Sequence, residues 1–340
     1  MRRERDRSSI GKLLRNATGY NIAKDGAVAL ATALHHYAES ERNRSPSVFS
    51  VTEGPPFDPF EFAQLLNITV CESKINTDGL LITRGQYSRL SSICVDSESY
   101  VLVPSRGRIR DTDPVIVLQR LEPDEFLVKR QRRLFTLSHE IGHIVLRKCI
   151  TAWGPSAEFS CDDPVEERLC NVFGAELLMP TQKLVLCLAE RGISADTLLD
   201  LRTQYGVSLK ALLSKVSDTF RGSVLVGLHH VDERELVRTE FEYPVLRHGL
   251  IPNHIVRDWI LRATETEQQV EQDLIIEGCR YRWRMAFKRL PGSRRVLILL
   301  YPPLEFVARY FYTKVVHLDS SGWRAERLGN YVRNWLSEQT

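Results

Sequence analysis

An α+β fold is predicted for this chain by three features of its sequence. Strand-like runs cluster between residues 68 and 103, long helical runs follow between 125 and 216, and both kinds mix again beyond 223. Elements segregated in this way argue against a repeating βαβ unit. At 340 residues the chain exceeds one average domain, and with 43% apolar residues it can bury a proper core. Four parts are read: a helical and basic extension at 1–50, a principal domain at 51–185, a helix-turn-helix-like segment at 190–220 and a C-terminal α+β domain at 221–340.

The elements follow in chain order. Arg2, Arg3, Arg5 and Arg7 interleave with acids and read as a solvated arm, and the Ala- and Leu-rich stretch 25–40 has helical propensity. Gly54, Pro55 and Pro56 mark a linker. A short helix at 59–66 precedes runs at 68–70, 80–83, 93–95 and 100–103, which suggest a small, mostly antiparallel sheet. Residues 125–148 and 163–179 read as helices, and Pro180 closes the second because its ring cannot continue one. Helices at 195–205 and 208–216 are parted by Gly206, with Ser208 as N-cap of the second. Beyond them, runs at 224–228, 281–288 and 296–301 read as strands and runs at 254–270 and 329–337 as helices.

Charge excludes little and composition somewhat more. The 46 Lys and Arg nearly balance the 43 Asp and Glu, so a net charge of +3 gives no argument for a nucleic-acid partner. Seven cysteines without a Cys-x-x-Cys pair fit reduced thiols in a cytoplasmic protein. The apolar stretch 27–34 starts too late and among too many acids for a signal peptide. The run at 296–301 is far short of the roughly 20 residues a membrane span needs, so no membrane partner is expected.

The chemistry is carried by His139, Glu140 and His143, an H-E-x-x-H pattern. Positions four apart on a helix lie about 40° apart in azimuth and one turn apart in height, so both imidazoles can reach one metal. Glu140 then falls beside the metal, placed to take a proton from a zinc-bound water whose pKa drops to roughly 7 and to pass it to a leaving amine. Leu134, Leu137, Ile141, Ile144 and Val145 give the surrounding residues an apolar helical face, which lowers the chance of coincidence. A catalytic zinc site usually takes three protein ligands. Asp162, Asp163, Glu166, Glu167 and Glu176 are the candidates for the third, with Cys170 weighed as a thiolate but read as a small buried hydrophobe. The stripe Glu167, Asn171, Gly174 and Leu178 puts a small residue where two helices could approach closely, whereas Glu176 shares a face with Leu169, Val172 and Phe173.

Two blocks of residues resemble the ImmA/IrrE family of bacterial zinc metallopeptidases. The first is Phe135, Thr136, His139, Glu140, Gly142 and His143; the second is Glu167, Asn171, Phe173, Leu177, Leu178, Met179 and Pro180. The resemblance extends upstream through 56–70 and 78–79 and downstream through 198–216. It implies a gluzincin-like fold for 51–185, a small sheet packed on the zinc-site helices. It also implies that Glu167 completes a His139, His143 and Glu167 zinc site. The activity so implied is metalloendopeptidase cleavage of a helix-turn-helix transcriptional repressor, switching on stress-response or mobile-element genes. Ser138 and Cys170 depart from the alanines common there, and residues 1–50 and 220–340 match nothing in the family.

Other features have plainer readings. The segment 207–217 offers only Lys210 and Lys215 as basic contacts, so packing is favoured over DNA readout. Arg280, Arg282, Arg284 and Lys288 alternate with Tyr281, Trp283, Met285 and Phe287, the pattern of a strand with one solvated face. His229, His230, His248 and His254 show no ligand spacing and read as structural. A strand at 80–83 or 93–95 could pair with substrate backbone. The competing reading is a non-proteolytic regulator in which zinc braces the fold while other segments bind DNA or a partner.

Overall fold

A computed structural model of the chain describes residues 23–44, 58–83, 86, 100–103, 110, 113–122, 125–153, 164–220, 224–234, 237–243, 253–276 and 279–301. The arginine arm, the linker at 54–56, the run 93–95, Asp162, Asp163, His248 and the helix expected at 329–337 lie outside those residues. The described residues are mixed α+β, and the boundary between two compact units falls between Pro180 and Thr181.

In the first unit, helix α1 (Ala23–Arg44) buries a stripe of Ala23, Ala27, Leu30, Ala31, Leu34 and Ala38. Small side chains at three- and four-residue spacing let it lie close on a neighbour. His35 Nε2 meets the Leu177 carbonyl at 2.9 Å, and its ring packs edge-on to Phe62 with centroids 5.0 Å apart. Where the sequence suggests an extension, this helix is built into the unit's core.

Helix α2 (Pro59–Leu65) starts at Asp58, whose carboxylate accepts from the Phe60 amide at 3.0 Å, and ends where Asn67 turns left-handed at φ 54. Four strands follow: β1 (Thr69–Ser73), β2 (Gly79–Thr83), β3 (Tyr100–Val103) and β4 (Pro114–Gln119), in the order β2-β4-β1-β3. β4 is not foreseen from the sequence, and it makes the sheet mixed. It runs parallel to β1, pairing Ile116 with Val70, and antiparallel to β2, pairing Ile116 with Leu81. Val115, Ile116, Val117 and Leu118 are all buried, so the strand shows no alternation to read.

One continuous helix, α3 (Phe126–Trp153), then packs on the sheet and on α4 (Pro164–Leu178). Arg133 pairs with Glu72 of β1, and Arg132 pairs with Asp78 just ahead of β2. These contacts set how far along the sheet α3 sits.

The second unit begins with α5 (Thr181–Arg191), which the sequence reading omits because it takes Pro180 only as a stop. Proline is also well suited to the residues leading into a helix. Helices α6 (Ala195–Tyr205) and α7 (Leu209–Thr219) occupy the expected places. Ser194 accepts from the Thr197 amide at 3.0 Å and Ser208 from the Ala211 amide at 3.2 Å, with Gly206 left-handed between the helices at φ 61.

A wholly antiparallel sheet follows, formed by β5 (Leu225–Val231), β6 (Val237–Tyr243), β7 (Gln268–Ile276), β8 (Cys279–Arg289) and β9 (Arg295–Tyr301) in the order β6-β5-β9-β8-β7. Helix α8 (Asn253–Arg262) lies between β6 and β7 in the chain. The helix expected over 254–270 stops at Arg262, and β7 starts at Gln268. Glutamine and glutamate favour helix locally, but the ladder from Gln268–Phe287 to Ile276–Cys279 overrides that preference.

Candidate metal centre

The site lies on the seam between α3 and α4. His139 and His143 project from one face of α3, and their Nε2 atoms stand 3.1 Å apart. Glu167, in the first turn of α4, faces both: Oε2 is 3.2 Å from His139 Nε2 and Oε1 is 3.2 Å from His143 Nε2. Tetrahedral coordination with bonds of about 2.0–2.1 Å places donors about 3.3 Å from one another, so this triangle could hold one small ion. Nitrogen and carboxylate donors together suit zinc.

The helices can come this close because glycine lines the seam. A β-carbon at Gly174 would lie 3.1 Å from the His139 amide nitrogen, and one at Gly142 would lie 3.3 Å from Cys170 Cα. Ser138 adds no bulk at the seam: it is buried and turns its hydroxyl back to the Leu134 carbonyl at 2.9 Å.

Each imidazole is gripped from behind. His139 Nδ1 is 3.0 Å from Asn171 Oδ1, and His143 Nδ1 is 2.6 Å from Glu166 Oε1. A carbonyl or ionised carboxylate only accepts, so both rings carry hydrogen on Nδ1 and turn the Nε2 lone pair toward the gap. Glu166 also accepts from Arg147 Nε at 2.6 Å. Burial disfavours charge on Glu166, but the bonds from His143 and Arg147 outweigh it and hold the carboxyl below its ordinary range. Burial, followed by the nearby His143, keeps His139 below the usual imidazole range and therefore neutral.

Glu140 points toward the sheet. A β-carbon at Gly79 would sit 3.6 Å from its Oε1, so the carboxyl lies over the start of β2. Burial raises its pKa, with Glu167 adding to the rise and His143 and Arg147 opposing it. A carboxylate so raised accepts protons more readily near neutrality.

Of the candidates for a third donor, the structure brings Glu167 to the two Nε2 atoms and sets Glu166 behind His143. Glu176 is buried and is not among the grouped donors. Cys170 forms a second, buried group with His143 and Glu166, where burial pushes its thiol far up, so it remains protonated. The parts played by Asn171 and Glu166 behind the rings are not foreseen from the sequence. Each lies on α4 within a turn of Glu167, but no local spacing marks the rings they contact on α3.

Three of the basic residues singled out in the second unit have acidic partners. Lys210 pairs with Glu240 at 3.1 Å, Lys288 pairs with Asp196, and Arg284 lies 3.7 Å from Glu271. Met285 and Phe287 are buried on one side of β8, as the alternation predicts, but Lys288 lies largely covered rather than in open water.

Fold and site together define an α+β domain with a helix pair whose donors could hold a metal ion. Residues 108–217 match the family described as Peptidase_M78, IrrE N-terminal-like domain, which supports ImmA/IrrE family membership for that segment. The match covers both blocks that carry the resemblance and leaves residues 56–79 outside it. No curated protein matches the chain. Among solved structures, a Mycobacterium tuberculosis transcriptional regulator aligns at 14% identity over 86% of this chain and 79% of that one, with a TM-score of 0.36. An overlap that loose carries no argument about function.

Proposed function

We propose that this chain is a zinc-dependent endopeptidase, with His139, His143 and Glu167 holding the metal and Glu140 as general base. The observation that carries the reading is the triangle of three donor atoms, 3.1–3.2 Å apart, beside the half-buried Glu140 carboxylate. Zinc in such a site lowers the pKa of a bound water and polarises the scissile carbonyl. Glu140 takes the proton of the attacking water and returns it to the leaving amine. β2 lies at an edge of the described sheet next to Glu140, and an extended peptide pairing along it would align the bond to be cut.

The substrate class proposed is a helix-turn-helix transcriptional repressor. It rests on the family likeness alone, as does the role in switching on stress-response or mobile-element genes.

Metal analysis and a cleavage assay test this reading. Purified protein should carry one zinc, and His139→Ala should lose it. Glu140→Gln should keep the metal and cut the repressor encoded nearest the gene at least about 100-fold more slowly. Wild-type protein without zinc affinity, or full activity in Glu140→Gln, overturns the reading.

A further inference from the structure

The two imidazoles are held by different means. Behind His139 stands a neutral amide at 3.0 Å, from the exposed Asn171. Behind His143 stands Glu166, only 2% exposed, at 2.6 Å. Charge-assisted hydrogen bonds are shorter and roughly twice as strong as neutral ones.

Glu166 is an unusual residue to bury in that place. It precedes Glu167 directly, so two carboxylates leave the first turn of α4 about 100° apart. One meets the Nε2 triangle and the other passes behind His143. An isolated buried carboxylate would be costly, but Arg147 offsets its charge. Arg147 lies one turn beyond His143 on α3, so a single oxygen, Oε1, takes N–H donors from two successive turns of the metal helix. That arrangement fixes both the hydrogen on His143 Nδ1 and the angle of the ring.

We propose that Glu166, neutralised by Arg147, is a positioning residue that locks His143 in the Nδ1–H tautomer and thereby sets how tightly the site holds its metal. The metal half of this inference rests on the zinc reading; the tautomer half does not.

The experiment uses the full chain with ¹⁵N-labelled histidine, metal-free, at about pH 8, above the ordinary imidazole range. Ring ¹⁵N shifts report the tautomer of each histidine, and chelator competition reports zinc affinity. In wild type, His143 should show hydrogen on Nδ1 only. In Glu166→Met, which removes the acceptor at similar length, His143 should move toward the Nε2–H form while His139 keeps its tautomer. The zinc Kd should rise about 10- to 100-fold. A merely structural role for Glu166 would leave the His143 tautomer unmoved. Glu166→Asp keeps the charge and the Arg147 partner but withdraws the oxygen by one methylene, and it carries the same measurements if the Met variant does not fold. An unchanged His143 tautomer overturns the proposal, whatever the zinc affinity. A wild-type chain that shows the expected tautomers but binds no zinc overturns the zinc reading and leaves the positioning role of Glu166 supported.

Discussion

Two of the regions that enclose imidazoles do so to different ends. On the seam between α3 and α4, His139 and His143 have their Nδ1 atoms committed to Asn171 and Glu166, while both Nε2 atoms converge with Glu167 on one point. In β5 of the second unit, His229 is 3% exposed, with the Thr239 hydroxyl 3.4 Å from Nδ1. The helix pairs differ in the same way. Several polar groups along α6 and α7 instead meet a partner directly: Lys210 meets Glu240, Asp196 meets Lys288, and the Ala195 amide meets Glu267. A functional site is marked by donors that converge on a point none of them fills. Polar groups that satisfy one another in pairs build structure.

The largest effect that separates the regions is a dependence of stability on pH. Burial lowers the pKa of His229 from the ordinary 6.5 to about 4. Above 6.5 neither the folded nor the unfolded state protonates the ring, and its contribution to stability is complete. Between 6.5 and 4 the unfolded chain binds a proton that the folded chain refuses, so stability falls as pH drops through that window. The loss reaches about 3 kcal/mol and then levels off. Urea unfolding at pH 7 and pH 4.5 should show a smaller acid loss in His229→Gln than in wild type. Equal losses would mean that His229 is not a buried neutral ring.

Glycine gives the next comparison. A side chain at Gly174 must push against the backbone of His139, so Gly174→Val should destabilise the chain by about 1–3 kcal/mol and weaken zinc binding by parting Glu167 from the histidines. Gly206 is left-handed at φ 61, so Gly206→Ala should cost about 1 kcal/mol through its backbone and leave zinc affinity untouched. Thermal melts of metal-free protein, followed by zinc titration, distinguish the two. Weakened zinc binding in Gly206→Ala would break the separation drawn between the regions.

How much of this was legible in the sequence follows from what is local. The H-E-x-x-H spacing and the Gly174 stripe are readable because both are written in one helical period. Ser208 and Gly206 are readable because caps have their own chemistry. β4 is hidden because Val115, Ile116, Val117 and Leu118 are buried on both faces and lose the alternation that marks a strand. β7 is misread because its helix-favouring glutamines are held in a ladder by β8, which the local sequence does not announce. Glu166 and Asn171 act on residues 23 and 32 positions away on another helix, a relation no local period encodes. The burial of α1 is likewise a matter of packing: its alanine stripe shows a helix, and only the fold shows what it covers.

The smallest effect tests the pairing in the second unit. Lys210 is one of two basic residues on α7, and in a DNA-reading helix it would be expected to face phosphate or base. Instead its Nζ lies 3.1 Å from Glu240 Oε1 on β6, with the lysine side chain 48% exposed and the glutamate 29%. A pair that open to solvent contributes about 0–1 kcal/mol. Lys210→Ala should therefore shift the urea midpoint slightly, and Glu240→Ala should shift it similarly. If α7 packs rather than reads, neither change alters affinity for double-stranded DNA at any salt concentration. A Lys210 that contacted phosphate would behave otherwise: its loss would weaken binding across sequences and lower the slope of log affinity against log salt by about 1. That outcome would make α7 a second functional surface and would dissolve the contrast between convergent and paired polar groups.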